Sequence, residues 1–215
     1  MIKNIIFDMD GVLLDSESGI RTACIEMLKT YGVHAVPEDF IPFTGMGEVR
    51  FIGGVAAKYG MEFQPQMQET AYDIYDQDAE KLVLIYEGVK DLVLTLRQKG
   101  YKVAVASSAG KRKVLINLRC IGVTREDFDA LITGSDVRNN KPDPEIFLAA
   151  AAKIGAKPEE TLVIEDAVTG IQAGLAAGMR CIGVTSTFDS GQLRNAGASW
   201  IVEKTVDILP ILETL

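Results

Sequence analysis

The stretch that decides the fold is Ile5-Ile6-Phe7-Asp8-Met9-Asp10-Gly11. Its three apolar residues form a candidate buried strand, and two acids follow at once, ahead of a glycine. Similar apolar runs recur at residues 102–106, 130–133, 161–164, 180–184 and 200–202. Helical patterns separate these runs, and two of them end at Gly100 and Gly122. Strand alternating with helix predicts an α/β fold, a Rossmann-like parallel sheet core flanked by helices.

One region interrupts this alternation. From residue 16 to residue 82 the sequence shows helical patterns and no convincing strand. One apolar stripe covers residues 20–28, and two more helices are expected around 49–59 and 66–79. We therefore predict an inserted all-helical cap domain, residues 16–82, and a core domain made of residues 1–15 and 83–215. Hinges are expected near Ser16 and Val83.

Composition limits the possible functions. The 215 residues include 22 Lys and Arg against 30 Asp and Glu, a formal net charge of −8. Such a chain does not favour nucleic acid or an anionic membrane as a partner. Cys24, Cys120 and Cys181 are far apart and form neither a metal pair nor a disulfide framework. We expect a cytoplasmic protein without a membrane segment, as a monomer or weak homo-oligomer.

Polar residues stand at the ends of the predicted strands or in nearby loops: Asp8, Asp10, Ser107, Lys141, Glu165 and Asp166. The carboxyl ends of parallel strands share one edge, so these side chains are expected to meet there. Clustered carboxylates favour a hard cation such as Mg²⁺. A lysine and a hydroxyl suit the oxygens of a phosphoryl group. The set predicts phosphoryl transfer through an acyl phosphate.

Each feature alone also has a purely structural explanation. Asp8 and Asp10 could stabilise a turn. Glu165-Asp166 could be a helix N-terminal pair that the helix dipole favours. Lys141 could belong to a helix start at which Asp143 is the N-cap and Pro144 the first helical residue. The combination, in this order, is what favours chemistry.

Four motifs in this order resemble the haloacid-dehalogenase-like hydrolases over essentially the whole chain. They are Phe7-Asp8-Met9-Asp10-Gly11-Val12, the Ser107 of Val105-Ala106-Ser107-Ser108, the Lys141 of Lys141-Pro142-Asp143-Pro144, and the Glu165-Asp166 of Val163-Ile164-Glu165-Asp166-Ala167. The inserted helices look like the small cap of the subfamily that contains β-phosphoglucomutase and CbbY-type sugar phosphatases. Residues 43–48 and 105–109 also resemble the hydrolase domain of the chloroplast suppressor-of-quenching proteins.

The resemblance implies a role for each motif residue. Asp8 would be the nucleophile and Asp10 the general acid and base, while Ser107 and Lys141 would hold the phosphate. The implied Mg²⁺ ligands are Asp8, Asp166, Glu165 and the backbone carbonyl of Asp10. Substrate contacts are expected from Ser108, Gly45, Gly47, Glu48 and Arg50. The cap would close over the substrate and exclude water.

The leading hypothesis is a Mg²⁺-dependent phosphatase for a small phosphorylated metabolite. The resemblance to the subfamily implies that this metabolite is a sugar phosphate. A phosphosugar mutase of the β-phosphoglucomutase type is the alternative, and a catalytically idle partner-binding domain is the alternative of another class. Asp10 argues against dehalogenation. Ile20 stands where the mutase has a cap histidine, and Glu48 stands about where it has an arginine. Both differences favour the phosphatase.

Two further features are interpreted as having no role in catalysis. His34, the only histidine, lies in a loop between cap helices and is expected to be exposed. The basic run Lys111-Arg112-Lys113 begins a predicted helix and is expected to form a solvated face.

Overall fold

The computed structural model describes residues 1–43 and 47–215, with only the backbone of Glu48. Its strands are β1 (Asn4–Phe7), β2 (Leu14–Asp15), β3 (Leu84–Ile85), β4 (Lys102–Ser107), β5 (Ala130–Thr133), β6 (Thr161–Glu165), β7 (Arg180–Val184) and β8 (Trp200–Val202). Its helices are α1 (Glu17–Thr30), α2 (Glu48–Lys58), α3 (Pro65–Leu82), α4 (Val89–Gln98), α5 (Lys111–Ile121), α6 (Glu145–Ile154), α7 (Val168–Ala176), α8 (Ser190–Asn195) and α9 (Ile208–Leu212).

Six of the strands form one parallel sheet in the order β5-β4-β1-β6-β7-β8. β1 lies inside the sheet, with β4 on one side and β6 on the other. Ile5 and Phe7 pack into the core shared with α4 and α5, while Ile6 packs into a second core with α6 and α7. Because β1 is buried on both faces, its last three residues, Ile5, Ile6 and Phe7, form a continuous apolar run rather than an alternating pattern. The predicted α/β fold is confirmed.

The helices α1, α2 and α3 follow β2 and precede β3, as the predicted insertion requires. The apolar stripe of α1 is buried, and α1 packs mainly against α3. The buried side of α3 includes Met67, Ala71, Tyr75 and Ala79. α3 also packs against α5, so this helix connects the insertion to the sheet domain. The division at residues 15/16 and 82/83 stays a prediction.

Two short strands were not predicted from the sequence. β2 and β3 pair antiparallel, with Leu14 opposite Ile85 and Asp15 opposite Leu84. Strands of two residues carry no periodic signal, so sequence reasoning cannot find them. They lie where the chain enters and leaves the helical insertion, and their ladder holds the two crossings side by side.

The start of α6 corrects one prediction. The helix begins at Glu145 with Pro144 as its N-cap, so Asp143 is not the N-cap. The Asp143 side chain still accepts a hydrogen bond from the Glu145 N–H at 2.9 Å. Helix ends commonly differ by one residue from sequence-based assignments. None of the helices in the described part of the chain combines the length and apolarity that a bilayer crossing requires.

Candidate active site

Neighbouring strands deliver two acids to the carboxyl edge of the sheet. Asp8 follows β1, and its backbone N–H donates to the Ile164 carbonyl at 2.9 Å, which extends the ladder with β6. Asp166 is the first residue after β6. Both carboxylates are buried, Asp8 with 8% of its surface exposed and Asp166 with 5%. The structure therefore brings these two predicted site residues together.

Lys141 reaches into the same crevice. Its Nζ lies 2.5 Å from Asp8 Oδ1 and 2.7 Å from Glu165 Oε1, and it donates to the Ala106 carbonyl at 3.1 Å. The Lys141 side chain is only 8% exposed. A buried ammonium needs such compensation, because an unpaired charge is strongly disfavoured away from water. The ammonium is thus fixed between the two carboxylates.

Both oxygens of the Glu165 carboxylate accept hydrogen bonds. Oε1 accepts from Lys141, while Oε2 accepts from the Ala167 backbone N–H at 2.8 Å. The carboxylate lies directly against Gly170 of α7, where a Cβ would overlap it. This geometry orients Glu165 toward Lys141.

Burial and crowding change the acidity of these groups. Burial, followed by the Glu165 and Asp10 carboxylates, raises the pKa of Asp8 to about 7, although Lys141 opposes the change. Burial, then Glu165 and Asp8, raises the pKa of Asp166 to about 8. Burial alone would lower the pKa of Lys141, but Asp8 and Glu165 outweigh it and raise that pKa. Buried carboxylates of this kind are stabilised by a proton or by a cation.

Asp10 has both carboxylate oxygens engaged. Lys113 Nζ lies 2.8 Å from Oδ2, and the Ser16 hydroxyl donates to Oδ1. The prediction of a solvated basic run at residues 111–113 is therefore wrong for Lys113, whose side chain is 7% exposed. Arg112 pairs with Glu69 and Asp73 of α3 at the surface, and Lys111 is exposed as expected. The helix period turns Lys113 inward, which a run of three cations hides in the sequence.

The end of β4 shapes the loop beside Asp8. Ser107 is buried, and its Oγ accepts from the Ala109 N–H at 3.2 Å. Ser108 is half-buried, and its carbonyl lies so close to Gly134 that a Cβ there would overlap it. Gly134 was not identified from the sequence, because a single glycine after a strand is an ordinary turn signal.

A second residue that sequence reasoning missed supports Lys141. Glu145 accepts backbone hydrogen bonds from Arg138 at 3.0 Å and from Asn139 at 2.9 Å. These bonds hold the Glu145 pKa below its ordinary value. They also hold the loop that contains Lys141 against the first turn of α6. Glu145 reads in sequence only as a favourable acid at a helix start.

The predicted cap contacts are placed only in part. Gly47 has φ 81°, and a Cβ there would lie 3.4 Å from Asn140 Nδ2, next to Lys141. Gly47, just before α2, therefore lies near Asn140, the residue that precedes Lys141. Arg50 is exposed on α2. Gly45 and the side chain of Glu48 lie outside the described residues. His34 is exposed, as predicted.

The residues fit a magnesium ion. Among the described residues, no three His, Cys, Asp or Glu side chains form a ready-made metal cage. Mg²⁺ does not need one, because it keeps several waters and uses one or two carboxylates together with phosphate oxygens. Asp8 and Asp166 provide two buried carboxylates whose mutual repulsion a cation would relieve. The donor atoms are all oxygen, as a hard cation prefers.

Two curated proteins are similar to the chain over nearly its whole length. It is 43% identical over 204 residues to Protein SUPPRESSOR OF QUENCHING 1, chloroplastic, of Arabidopsis thaliana, covering 93% of this chain. The chain spans about a fifth of that relative, 19% of its length. It is 30% identical over 219 residues to the Phosphorylated carbohydrates phosphatase of Thermotoga maritima, covering 99% of both chains.

The fold and the family agree with these similarities. CbbY from Rhodobacter sphaeroides in complex with phosphate superposes with a TM-score of 0.81, at 24% identity and 97% coverage of both chains, which shows a common fold. β-Phosphoglucomutase from Clostridium difficile shares this fold as well, with a TM-score of 0.81 at 24% identity, covering 100% of this chain and 96% of that chain. The family model described as haloacid dehalogenase-like hydrolase matches residues 5–184, most of the chain. The chain therefore belongs to the haloacid dehalogenase-like hydrolase family.

Proposed function

We propose that this protein is a Mg²⁺-dependent phosphatase that hydrolyses a small phosphorylated metabolite through a phosphorylated Asp8. One observation carries the proposal: the Lys141 ammonium is fixed between the buried Asp8 and Glu165 carboxylates. A cation held against a strand-end carboxylate can neutralise a phosphoryl group as it reaches that carboxylate. The phosphatase name of the Thermotoga maritima relative supports the same reaction class.

In the first step, an Asp8 carboxylate oxygen attacks phosphorus and the bond from phosphorus to the substrate oxygen breaks. Asp10 gives a proton to that leaving oxygen. The Lys141 ammonium offsets the charge of the phosphoryl oxygens, and the Ser107 hydroxyl donates a hydrogen bond to them. In the second step, Asp10 takes a proton from water, the water oxygen attacks phosphorus, and the bond to Asp8 breaks. Phosphate leaves, and the Asp8 carboxylate is restored.

Asp8, Asp166 and the backbone carbonyl of Asp10 would hold Mg²⁺. When bound, the ion supplies positive charge that offsets the carboxylates and the phosphoryl oxygens. In this proposal Glu165 is not a direct ligand of Mg²⁺. Because its oxygens bind Lys141 and the Ala167 N–H, it orients the ammonium that contacts the phosphate.

The substrate we propose is a sugar phosphate, and hydrolysis is favoured over isomerisation. The relative from Thermotoga maritima carries phosphorylated carbohydrates in its name. A mutase must exclude water until a sugar hydroxyl reaches the phosphoaspartate. Ile20, at the position of the mutase's cap histidine, is buried in the apolar core and has no hydrogen-bonding group. Water should therefore attack the phosphoaspartate soon after it forms.

The test measures phosphate release from a panel of phosphorylated metabolites, with and without Mg²⁺, for the native chain and for Asp8→Asn. We expect Mg²⁺-dependent release, and a loss of at least about 1,000-fold in a folded Asp8→Asn variant. Acid quenching followed by peptide mass spectrometry should find the phosphate on Asp8. Asp166→Ala should raise the Mg²⁺ concentration needed for activity, whereas Cys120→Ser should not. Substantial turnover by Asp8→Asn would contradict the covalent route.

A further inference from the structure

Three buried polar groups form a directed chain that runs from helix α3 to the half-buried Asp10. The Tyr75 hydroxyl donates to Asn117 Oδ1 at 2.7 Å, and Asn117 Nδ2 donates to the Ser16 oxygen at 3.2 Å. The Ser16 hydroxyl donates to Asp10 Oδ1. Tyr75, Asn117 and Ser16 are fully buried. We call this hydrogen-bond chain, Tyr75-Asn117-Ser16-Asp10, the relay.

The direction of the relay follows from the chemistry of its members. A carboxylate only accepts, so Ser16 must use its single proton toward Asp10. Ser16 can then only accept from Asn117, which presents its amide nitrogen on that side. The Asn117 oxygen faces Tyr75, which donates. No other orientation satisfies all three bonds, and unsatisfied buried polar groups are costly.

Lys113 completes the arrangement from the other side. Lys113 and Asn117 lie four residues apart on α5 and therefore on one face of that helix. One contributes the ion pair to Asp10 Oδ2, and the other reaches Oδ1 through Ser16. Two donors on two different oxygens fix both the position and the rotation of the carboxylate.

Outside the relay, exposed ion pairs join the same two helices. Arg112 pairs with Glu69 and Asp73, and Arg119 pairs with Asp76. Exposed pairs contribute little stability and break easily. The buried relay is different, because any movement of Tyr75 must change the bonding of Asn117. The relay therefore links α3 to Asp10 through buried hydrogen bonds.

We propose that Lys113 and the relay position the Asp10 carboxylate to accept the proton of the attacking water, with Tyr75 linking this to the cap helix. This inference rests on the proposed function and assigns Lys113 and Tyr75 as positioning residues. They orient Asp10 and do not contact substrate. The step they serve is hydrolysis of the phosphorylated Asp8, in which Asp10 must present a free oxygen lone pair to water.

The two steps can be separated with p-nitrophenyl phosphate. Its leaving group departs without protonation, so kcat/KM, which reports the phosphorylation of Asp8, does not depend on Asp10. Because this leaving group makes the first step fast, we expect hydrolysis of the phosphorylated Asp8 to limit turnover at saturation. Lys113→Met should therefore lower kcat and KM together by about tenfold or more, within the range of general-base effects, and leave kcat/KM within about twofold.

A direct measurement accompanies the kinetics. During steady turnover with p-nitrophenyl phosphate, acid quenching and mass spectrometry should show a larger phosphorylated fraction of Asp8 in Lys113→Met than in the native chain. Tyr75→Phe, which removes one hydroxyl, should show the same pattern to a smaller degree. Lys113→Arg, which keeps the cation, should recover part of kcat. Arg119→Met is the matched control, because Arg119 lies on the same helix without touching the relay, and it should behave as native.

The outcomes separate the two proposals. If kcat and kcat/KM fall in parallel, or if neither changes in folded Lys113→Met and Tyr75→Phe, the positioning role is wrong. If Lys113→Met does not fold, Tyr75→Phe and Lys113→Arg decide the question by the same comparison of kcat with kcat/KM. No phosphate release by the native chain on any substrate would contradict the proposed function itself, and this inference with it.

Discussion

The Asp166 carboxylate lies so close against Gly11 that a Cβ at position 11 would overlap its Oδ2 and Cγ atoms. Gly11 also has φ 79°, a backbone conformation that glycine adopts without steric cost. The turn after Asp10 and the strand end that carries Asp166 are therefore packed as one unit. The absence of a side chain at Gly11, in the first motif, thus leaves the space that the Asp166 carboxylate of the fourth motif occupies.

This contact predicts that Gly11→Ala damages the site beyond its backbone strain. Gly32→Ala is the matched control, because Gly32 has φ 77° and the described part of the chain places nothing within 4 Å of its Cβ position. Both variants should lose about 1 kcal/mol of stability from the left-handed backbone. Only Gly11→Ala should also lose most of its activity and require more Mg²⁺. Thermal melts and Mg²⁺ titrations of phosphate release measure this, and equal activities would contradict the packing argument.

Removing the buried cation should destabilise the protein as well as inactivate it. Lys141→Met leaves Asp8 and Glu165 buried without a counter-charge, which we expect to cost about 3 kcal/mol of unfolding free energy. Turnover should fall at least about 100-fold. Lys99→Met is the control, since Lys99 and Glu213 are exposed and 3.3 Å apart, and it should change stability by less than about 0.5 kcal/mol. Denaturant titration provides both numbers. A Lys141→Met variant as stable as native would contradict the uncompensated charge.

Glu145 should affect catalysis without touching the substrate. Glu145→Ala removes the acceptor for the Arg138 and Asn139 N–H groups, so the loop that carries Lys141 loses its closure. Positioning losses of this kind commonly cost about tenfold or more in kcat/KM. Glu159→Ala, at an exposed position two residues before β6, should leave kcat/KM unchanged. Steady-state kinetics on any substrate that the native enzyme hydrolyses decides between these outcomes.

The hydrogen bonds of Asp39 predict that this residue, in the helical insertion, contributes to stability in a way that depends on pH. Hydrogen bonds from Lys58, the Val36 N–H and Tyr59 lower the pKa of Asp39 from 3.8 to about 2. A carboxyl whose folded pKa is depressed stabilises the fold above its unfolded pKa, and this stabilisation is lost as the pH falls toward the folded value. The melting temperatures of native protein and Asp39→Asn should differ by a constant amount above about pH 5 and converge between about pH 4 and pH 2.

The same exchange at a neighbouring residue provides the control for Asp39. Glu38→Gln changes an exposed acid one position earlier in the chain. Its melting temperature should follow that of the native protein across the whole pH range. A difference for Asp39→Asn that does not shrink in acid would show that the hydrogen bonds of Asp39 do not depend on its charge.

Much of the fold is readable from the sequence. Ile5, Ile6 and Phe7 predict an inner strand because a strand buried on both faces is a nearly continuous apolar run. Once β1, β4 and β6 are parallel neighbours, Asp8, Ser107 and Asp166 have to lie near one edge. The helical insertion was equally visible, because α1 and α3 carry long amphipathic patterns.

The chemistry around Asp10 was not readable in the same way. Lys113 belongs to a run of three cations, and its inward direction depends on where α5 begins and on what α5 packs against. Tyr75 and Asn117 are 42 residues apart, and their contact exists only because α3 lies on α5. The β2–β3 ladder escapes prediction for a related reason, since two residues carry no period.

The sequence by itself therefore determined the α/β class and the helical insertion. It also determined the order in which the motifs follow the strands, and with it the acids and the lysine expected at the sheet edge. Local patterns suffice for these features, because burial and helix period act residue by residue along the chain. Only the tertiary structure decided that Glu165 faces Lys141, that Gly11 lies against Asp166, and that Lys113 and Ser16 hold Asp10. These are contacts between distant segments, and their geometry depends on how helices and strands pack rather than on any one of them.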